Sequence, residues 1–246
     1  MRSRFTISFA LFSFSLAAQT ISTSAFPSQL ITKYSQLASV HSVTLNGNAS
    51  WIAGSSHESG TVTLSASSDG STTFDLSMGR DSRRESASAL GTSRVCHWID
   101  ARSNAHEVTG PDCDLSVPWF APLVLAQPTA AVSRLLIITD DGTVTRANSA
   151  YHQISYRTIE PARDAATSQA LAEDTRVRVL YDPQTLVPAS AEFSIHADNN
   201  LSRQIPVRIV YSNYQAVSGI PVPFQIDRYV NGVLQLSLTL TNASSN

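Results

Sequence analysis

Lysine is almost missing from this chain. Lys33 is the single lysine in 246 residues, so nearly all positive charge is arginine. Arginine forks grip carboxylate or phosphate bidentately, although a biased genome composition is the simpler account of so uneven a ratio. Charge of either sign is sparse, 15% of residues, with 17 basic against 19 acidic. That excludes the basic stripe that nucleic-acid binding requires. Chemistry-bearing motifs are missing too. There is no His-Glu-x-x-His, no Gly-x-Ser-x-Gly and no phosphate loop, and the six histidines, His41 and His57 among them, are scattered. Ser55, His57 and Glu58 do fall together in the segment Gly54 to Gly60. Triads assemble from distant segments, so this stretch reads as an exposed loop. No catalytic residue, metal site or cofactor is expected, and the chain does not read as an enzyme. Long apolar runs are also missing after residue 25, which excludes a helical membrane anchor beyond that point.

What is present starts with an export signature. Arg2 and Arg4 precede a nearly charge-free run from Phe5 to Ala18, rich in Phe, Leu and Ala, and small residues follow. Residues 1–25 read as a secretory signal peptide, with cleavage after Ala18 or Ala25. Its removal leaves 15 basic residues against 19 acidic, a net of −4. Residues 26–246 then form one domain, since no linker, repeat or composition shift divides them. The expected location is the periplasm or the exterior.

Cysteine occurs only at Cys96 and Cys113. In an exported protein an isolated pair reads as a disulfide. Arg94 to Ile99 and Ala105 to Val108 flank the polar turn Ala101 to Asn104, so the bridge closes on a hairpin. Such a bridge adds roughly 3 kcal/mol in the chain-entropy model. A metal site using Cys96, His97, His106 and Cys113 is the rival. Adjacent Cys96 and His97 point to opposite faces of a strand, and the spacing matches no zinc pattern.

Alternation dominates the rest. Leu30, Tyr34, Leu37 and Ala38 recur at the helical period, predicting a short amphipathic helix from Pro27. Thr61 to Ala66 and Phe74 to Met78 alternate strictly around Asp69-Gly70, so Val62, Leu64 and Ala66 should share a core face with Phe74, Leu76 and Met78. Gly79 to Glu85 reads as a solvated turn and strand edge. Pro118 to Ala126, with Trp119 and Phe120, is apolar all round and must be buried or cover something apolar. Asp141-Gly142 reads as a hairpin turn between Leu135–Thr139 and Gly142–Arg146. His152 to Thr158 is a weaker strand, and Ala165 to Asp174 is a helical turn or loop. The last seventy residues predict five successive strands. Pro206 marks an edge or strand start, and Asn231-Gly232 is a strong hairpin signal.

Three pieces of the chain resemble the fold shared by the LolA and LolB lipoprotein carriers. They are the amphipathic helix directly after the signal, the phrase Val179-Leu180-Tyr181-Asp182-Pro183-Gln184-Thr185-Leu186-Val187-Pro188, and Ile209 to Tyr214 running into Val217-Ser218-Gly219-Ile220-Pro221-Val222-Pro223-Phe224. The likeness is best over residues 176 to 241. The cysteine hairpin followed by Trp119 and Phe120 departs from the classical carriers and points to a separate branch.

The resemblance implies an α+β, mainly β fold: a strongly curved antiparallel sheet, or half-barrel, with a few helices covering its concave face. It also implies a cavity for acyl chains, and hence lipid or acylated protein as partner. Phe74, Leu76, Phe193, Ile195, Val207, Ile209 and Phe224 are the expected lining, with Trp119 and Phe120 in a lid. The second reading is an envelope protein-interaction module, a stress sensor or assembly scaffold, with the same fold and a filled cavity. A hydrolase with no visible motif is a third.

Overall fold

Strict alternation of apolar and polar residues builds a sheet with one buried face. In the computed structural model the described residues are 25–35, 40–67, 71–79, 81–90, 93–108, 113, 136–158, 164, 169, 173–197 and 200–246. They form one helix, α1 (Ala25–Ser35), and thirteen strands. The first six are β1 (Ser42–Ala53), β2 (Ser56–Ser67), β3 (Thr72–Met78), β4 (Asp81–Leu90), β5 (Ser93–Ile99) and β6 (Ala105–Val108). The others are β7 (Leu136–Arg146), β8 (Ser149–Thr158), β9 (Val177–Tyr181), β10 (Pro188–Ala197), β11 (Asn200–Val217), β12 (Ile220–Val230) and β13 (Val233–Ser245).

The strands make a single antiparallel sheet in the order β6-β5-β4-β3-β2-β1-β13-β12-β11-β10-β9-β8-β7. Two meanders, β1–β6 and β7–β13, meet where β1 pairs with β13. The end strands β6 and β7 do not pair with each other, so the sheet is open. It is also strongly bent. Five strand steps separate β4 from β12, roughly 24 Å on a flat sheet. Yet Glu85 and Arg83 of β4 act on the charge of Arg228 in β12 across the concave side. At the seam β13 carries a bulge at Thr241, opposite the step from Asn46 to Gly47 of β1. A Cβ on Gly47 would lie 2.3 Å from the Thr239 carbonyl oxygen, so only glycine lets the two meanders approach this closely.

The predicted strands recur, most of them longer. Leu64 pairs with Phe74 and Val62 with Leu76, as the alternation requires. The five C-terminal strands are present, and Asn231-Gly232 turns β12 into β13 with φ values of 51° and 77°. The prolines sit at local edges. Pro221 and Pro223 belong to the part of β12 that precedes its pairing with β13, which begins at Gln225. Pro206 lies within β11, but next to the point where β12 has ended at Val230; its missing donor faces that gap.

Four expectations are corrected. Asp141-Gly142 is a bulge inside β7, not a turn. The Asp140 carboxylate accepts the Gly142 N–H at 2.8 Å, Gly142 takes φ 80°, and the chain reverses later at Ala147-Asn148, both at positive φ. Residues 81–85 are strand rather than turn: they open β4 against β3, and from Arg84 they pair with β5 as well, while Ser82, Arg83 and Arg84 stay exposed as a strand edge would be. The segment from Ser56 to Gly60 is exposed but is strand, zipped to β1, and β1 itself carries no strong alternation signal. The helix starts at Ala25 rather than Pro27, and Phe26 joins Leu30 and Tyr34 on its buried face; residues 37 and 38 lie outside the described residues. So do residues 1–24 of the expected signal, the Asp69-Gly70 turn, most of residues 165–172, and the whole apolar segment holding Trp119 and Phe120.

Candidate functional site

The inward alternates of nine strands and one helix merge into one buried apolar cluster. It runs from Phe74 and Leu76 on β3, through Leu45, Leu238 and Ile226 at the seam, to Ile209, Phe193, Val179 and Ile154. The expected lining residues fall here. Phe74 and Leu76 are 5% exposed, Phe193 8%, Phe224 7%, Val207 2% and Ile209 0%. Ile195 is half-buried against the same cluster. Among the described residues, α1 is the one helix that covers this face, where a few were expected.

The helix is held by contacts from one face. Phe26, Leu30 and Tyr34, spaced four apart, are its buried residues. The Phe26 ring stacks on His152 at 3.7 Å and meets Tyr181 edge-on at 6.0 Å. The Tyr34 hydroxyl donates to the Leu186 carbonyl at 3.0 Å, and Lys33 reaches the Thr185 carbonyl. Both acceptors lie in the β9–β10 turn. The Asp182 carboxylate shapes that turn by accepting the N–H groups of Gln184 and Thr185 at 2.9 and 2.8 Å. Those bonds, the one from Thr185 foremost, hold the Asp182 pKa below the usual carboxylate value. An isolated helix of 11 residues is marginal in water, so α1 stays in place through these anchors, each side chain adding about 2 kcal/mol.

Beneath α1 lies a feature that the lining list missed. Tyr34, Tyr156, Tyr181 and Tyr211 are buried, with Tyr214 beside them. Tyr156 and Tyr181 share a hydroxyl contact at 2.8 Å, and Tyr214 donates to the Pro188 carbonyl at 2.5 Å. Burial pushes all five hydroxyl pKa values above the ordinary tyrosine range. The signal was available: Tyr156, Tyr181 and Tyr211 occupy the same alternate positions as Ile154, Val179 and Ile209. Next to them, His152 contacts Asp140 at 2.6 Å, both about 15% exposed.

The other end of the concave face is polar. Register places Arg83 opposite Leu76 and Glu85 opposite Phe74, so both point inward. Arg83 bonds Glu85 at 2.6 Å and lies 4.7 Å over the Trp98 ring. Trp98 in turn stacks on His106 at 4.1 Å. Arg228 faces this group from β12. Burial lowers its pKa from the ordinary arginine value, Glu85 opposes that shift and Arg83 adds to it. Behind them the disulfide is formed, Cys96 to Cys113, with Cα atoms 5.5 Å apart. It packs with Ala87 and Val108 in a cluster separate from the main core. Among the described residues, no three His, Cys, Asp or Glu side chains could hold a metal ion, and no helix is long and apolar enough to cross a membrane.

No protein-family model matches the chain, and no curated protein does. Solved structures do. A DUF1329 family protein from Desulfovibrio piger superposes with a TM-score of 0.57 at 9% identity, covering 89% of this chain and 92% of that one. An outer membrane lipoprotein-sorting protein domain from Vibrio parahaemolyticus gives 0.56 at 7% identity, covering 89% and 91%. A LolA superfamily protein from Nitrosomonas europaea gives 0.50 at 11% identity, covering 89% and 93%. With its open, bent, antiparallel sheet, this chain has the fold of LolA-superfamily and DUF1329 proteins.

Proposed function

We propose that this is an exported binder or carrier of lipid, or of lipidated protein, which takes acyl chains against the concave face of its half-barrel. One observation carries the reading. A continuous apolar face spans nine strands, and the one described helix across it is short, with Phe26, Leu30, Lys33 and Tyr34 as its described anchors. Each methylene buried on such a face contributes about 0.8 kcal/mol, so an acyl chain binds without a dedicated polar group. A carrier must also release its cargo, and a weakly anchored cover provides for that. The fold shared with a lipoprotein-sorting domain supports the reading. In it, Phe74, Leu76, Phe193, Ile195, Val207, Ile209 and Phe224 line the site, and Trp119 and Phe120 belong to the lid. The protein works in the periplasm or outside the cell, as one domain, and carries out no catalysis.

The test is organic extraction of the purified native protein followed by mass spectrometry, with displacement of a fluorescent fatty acid alongside. Stoichiometric lipid and saturable displacement are expected. Absence of both would sink the proposal. A second reading, an envelope protein-interaction module without cargo, is favoured by how completely the inward side chains are covered: Leu64, Ile154, Ile209 and Leu238 show no exposure. Capture of one defined partner, unchanged by lipid extraction, would favour it.

A further inference from the structure

The outward face of β9–β12 holds a second feature, independent of the concave face. Arg178, Glu192, Arg208 and Tyr229 lie directly opposite one another on four successive strands. Arg176, two residues before Arg178, is on the same side. Together with Glu173 they line a cleft of about 370 Å³, which Phe193 and Val207 also border. Arg178 and Arg208 sit two strands apart, roughly 10 Å by strand spacing, and Arg176, just before β9 begins, lines the same cleft. The Arg208 guanidinium rests 4.8 Å from the centre of the Tyr229 ring, which holds its fork in place.

The acids do not cancel this charge. Glu173 bonds Arg176 at 2.5 Å and also meets Arg157 at 3.4 Å, so one carboxylate serves two arginines. Glu192 stands between Arg178 and Arg208. Three guanidinium groups, those of Arg176, Arg178 and Arg208, therefore line the cleft against two carboxylates, in a chain whose overall charge is −2; Arg157 and Asp174 stand outside the lining, on Glu173 and His196. The Nε of Arg176 is also buried with no hydrogen-bond partner among the described residues. A buried donor of that kind normally has an acceptor.

We propose that this cleft is an anion site for a phosphate-bearing ligand, either a free organic phosphate or the headgroup of an anionic lipid. The arrangement favours phosphate over carboxylate. A carboxylate offers two oxygens and fills one fork, whereas phosphate offers three or four and accepts from several forks at once. Glu192 then competes with the ligand for Arg178 and Arg208. The site lies on the opposite side of the sheet from the acyl-chain face and does not depend on it.

Isothermal titration of the full exported chain with inorganic pyrophosphate at low salt reads the site. Pelleting with phosphatidylcholine vesicles, with and without phosphatidylglycerol, separates the two sources. Pyrophosphate binding is expected to weaken roughly tenfold or more in the R178Q/R208Q double variant. It should tighten several-fold in E192Q, because a competing carboxylate is gone. Phosphatidylglycerol-dependent pelleting that falls in the double variant assigns a lipid headgroup; pyrophosphate binding without pelleting assigns a free phosphate. The proposal is overturned by no binding in either format, by equal binding in the double variant, or by weaker binding in E192Q. All three side chains lie on the outward face, so unchanged thermal melting and unchanged fatty-acid displacement accompany the expected result.

Discussion

The two meanders solve the same problem by different means. The strands β8–β13 face inward with Ile, Val, Leu, Phe and Tyr, and they fold under α1 into the main core. The strands β4–β6 belong to the first meander and face inward with Arg83, Glu85, Trp98 and His106. Among the described residues, their own buried cluster holds Ala87, Cys96 and Cys113, with Val108 packed on it. Burial stabilises the first region. A covalent bridge, ring stacking and a capped turn stabilise the second. Among the described residues the main core extends from β3 to β8, and the far end of the sheet is fastened by a covalent bridge and polar contacts.

The seam between the regions is where the contrast breaks most readily. Gly47→Ala would press a methyl group onto the Thr239 carbonyl and the Leu240 Cα. Neither is the flexible end of a side chain, so β1 and β13 must separate locally. We expect a loss of about 3 kcal/mol, read as a lower denaturation midpoint with an unchanged slope. A variant of wild-type stability would show that the meanders join less tightly than the register implies.

The disulfide comes next. Cys96→Ser with Cys113→Ser, or reduction, frees a loop with a sequence separation of 17 and should cost roughly 3 kcal/mol in the chain-entropy model. The loss should be confined to β4–β6. Hydrogen exchange should quicken at β5 and β6 and stay slow at β11–β13. Equal quickening in both places would mean that the two regions unfold as one unit.

How much of this was legible in sequence follows the same division. The β9–β13 wall could be read because Asp182, Pro188, Gly219 and Asn231-Gly232 punctuate it and its apolar residues alternate cleanly. The inward face followed from parity, so Ile209 and Phe224 were placed with the core. Parity also holds the tyrosines and Arg228, but polar atoms at inward positions carry no sequence mark of burial. β4 was obscured because Arg83 and Glu85 look like a solvated edge; only the bend of the sheet turns them toward the mouth. Asp141-Gly142 misled because the same residue pair serves a turn or a bulge. The choice was made by the Asp140 carboxylate and by Gln153 and Ser155 across the strand, both bonded to Asp141.

Alkali should attack the tyrosine-lined region first. Burial raises the folded-state pKa of Tyr34, Tyr156, Tyr181, Tyr211 and Tyr214. The stability tied to a raised pKa is fully present below the unfolded value of about 10. It is lost as pH rises from there toward the folded value. Ionised-tyrosine absorbance should therefore lag and then appear together with unfolding. Tyr181→Phe leaves the Tyr156 hydroxyl without its partner and should cost about 1 to 2 kcal/mol near neutrality. Early, reversible ionisation of these tyrosines in the folded state would contradict their burial.

Acid should act on the turns capped by carboxylates, the β5–β6 turn of the stapled region above all, with the smallest effect of the series. The Asp100 carboxylate accepts the Asn104 side chain at 3.0 Å and the backbone N–H groups of Asn104 and Arg102 at 2.8 and 2.9 Å. These bonds, the Asn104 side chain first, hold its pKa down to about 2. For a depressed carboxylate the contribution is present above the unfolded value of about 4 and fades as pH falls through the folded value. Between roughly pH 4 and pH 2 the β5–β6 turn should loosen, while its pairing with β4 and the bridge from β5 to the segment after β6 keep it on the sheet; the β9–β10 turn shaped by Asp182, whose pKa is also lowered, loses its bonds in the same direction, but β11–β13 hold. Asp100→Asn should remove that acid step from hydrogen exchange at β5 and β6 and leave the global melting temperature unchanged. If the variant kept the same acid step, the turn would owe its shape to the strand pairing alone, and the contrast between a capped hairpin and a buried wall would reduce to the disulfide.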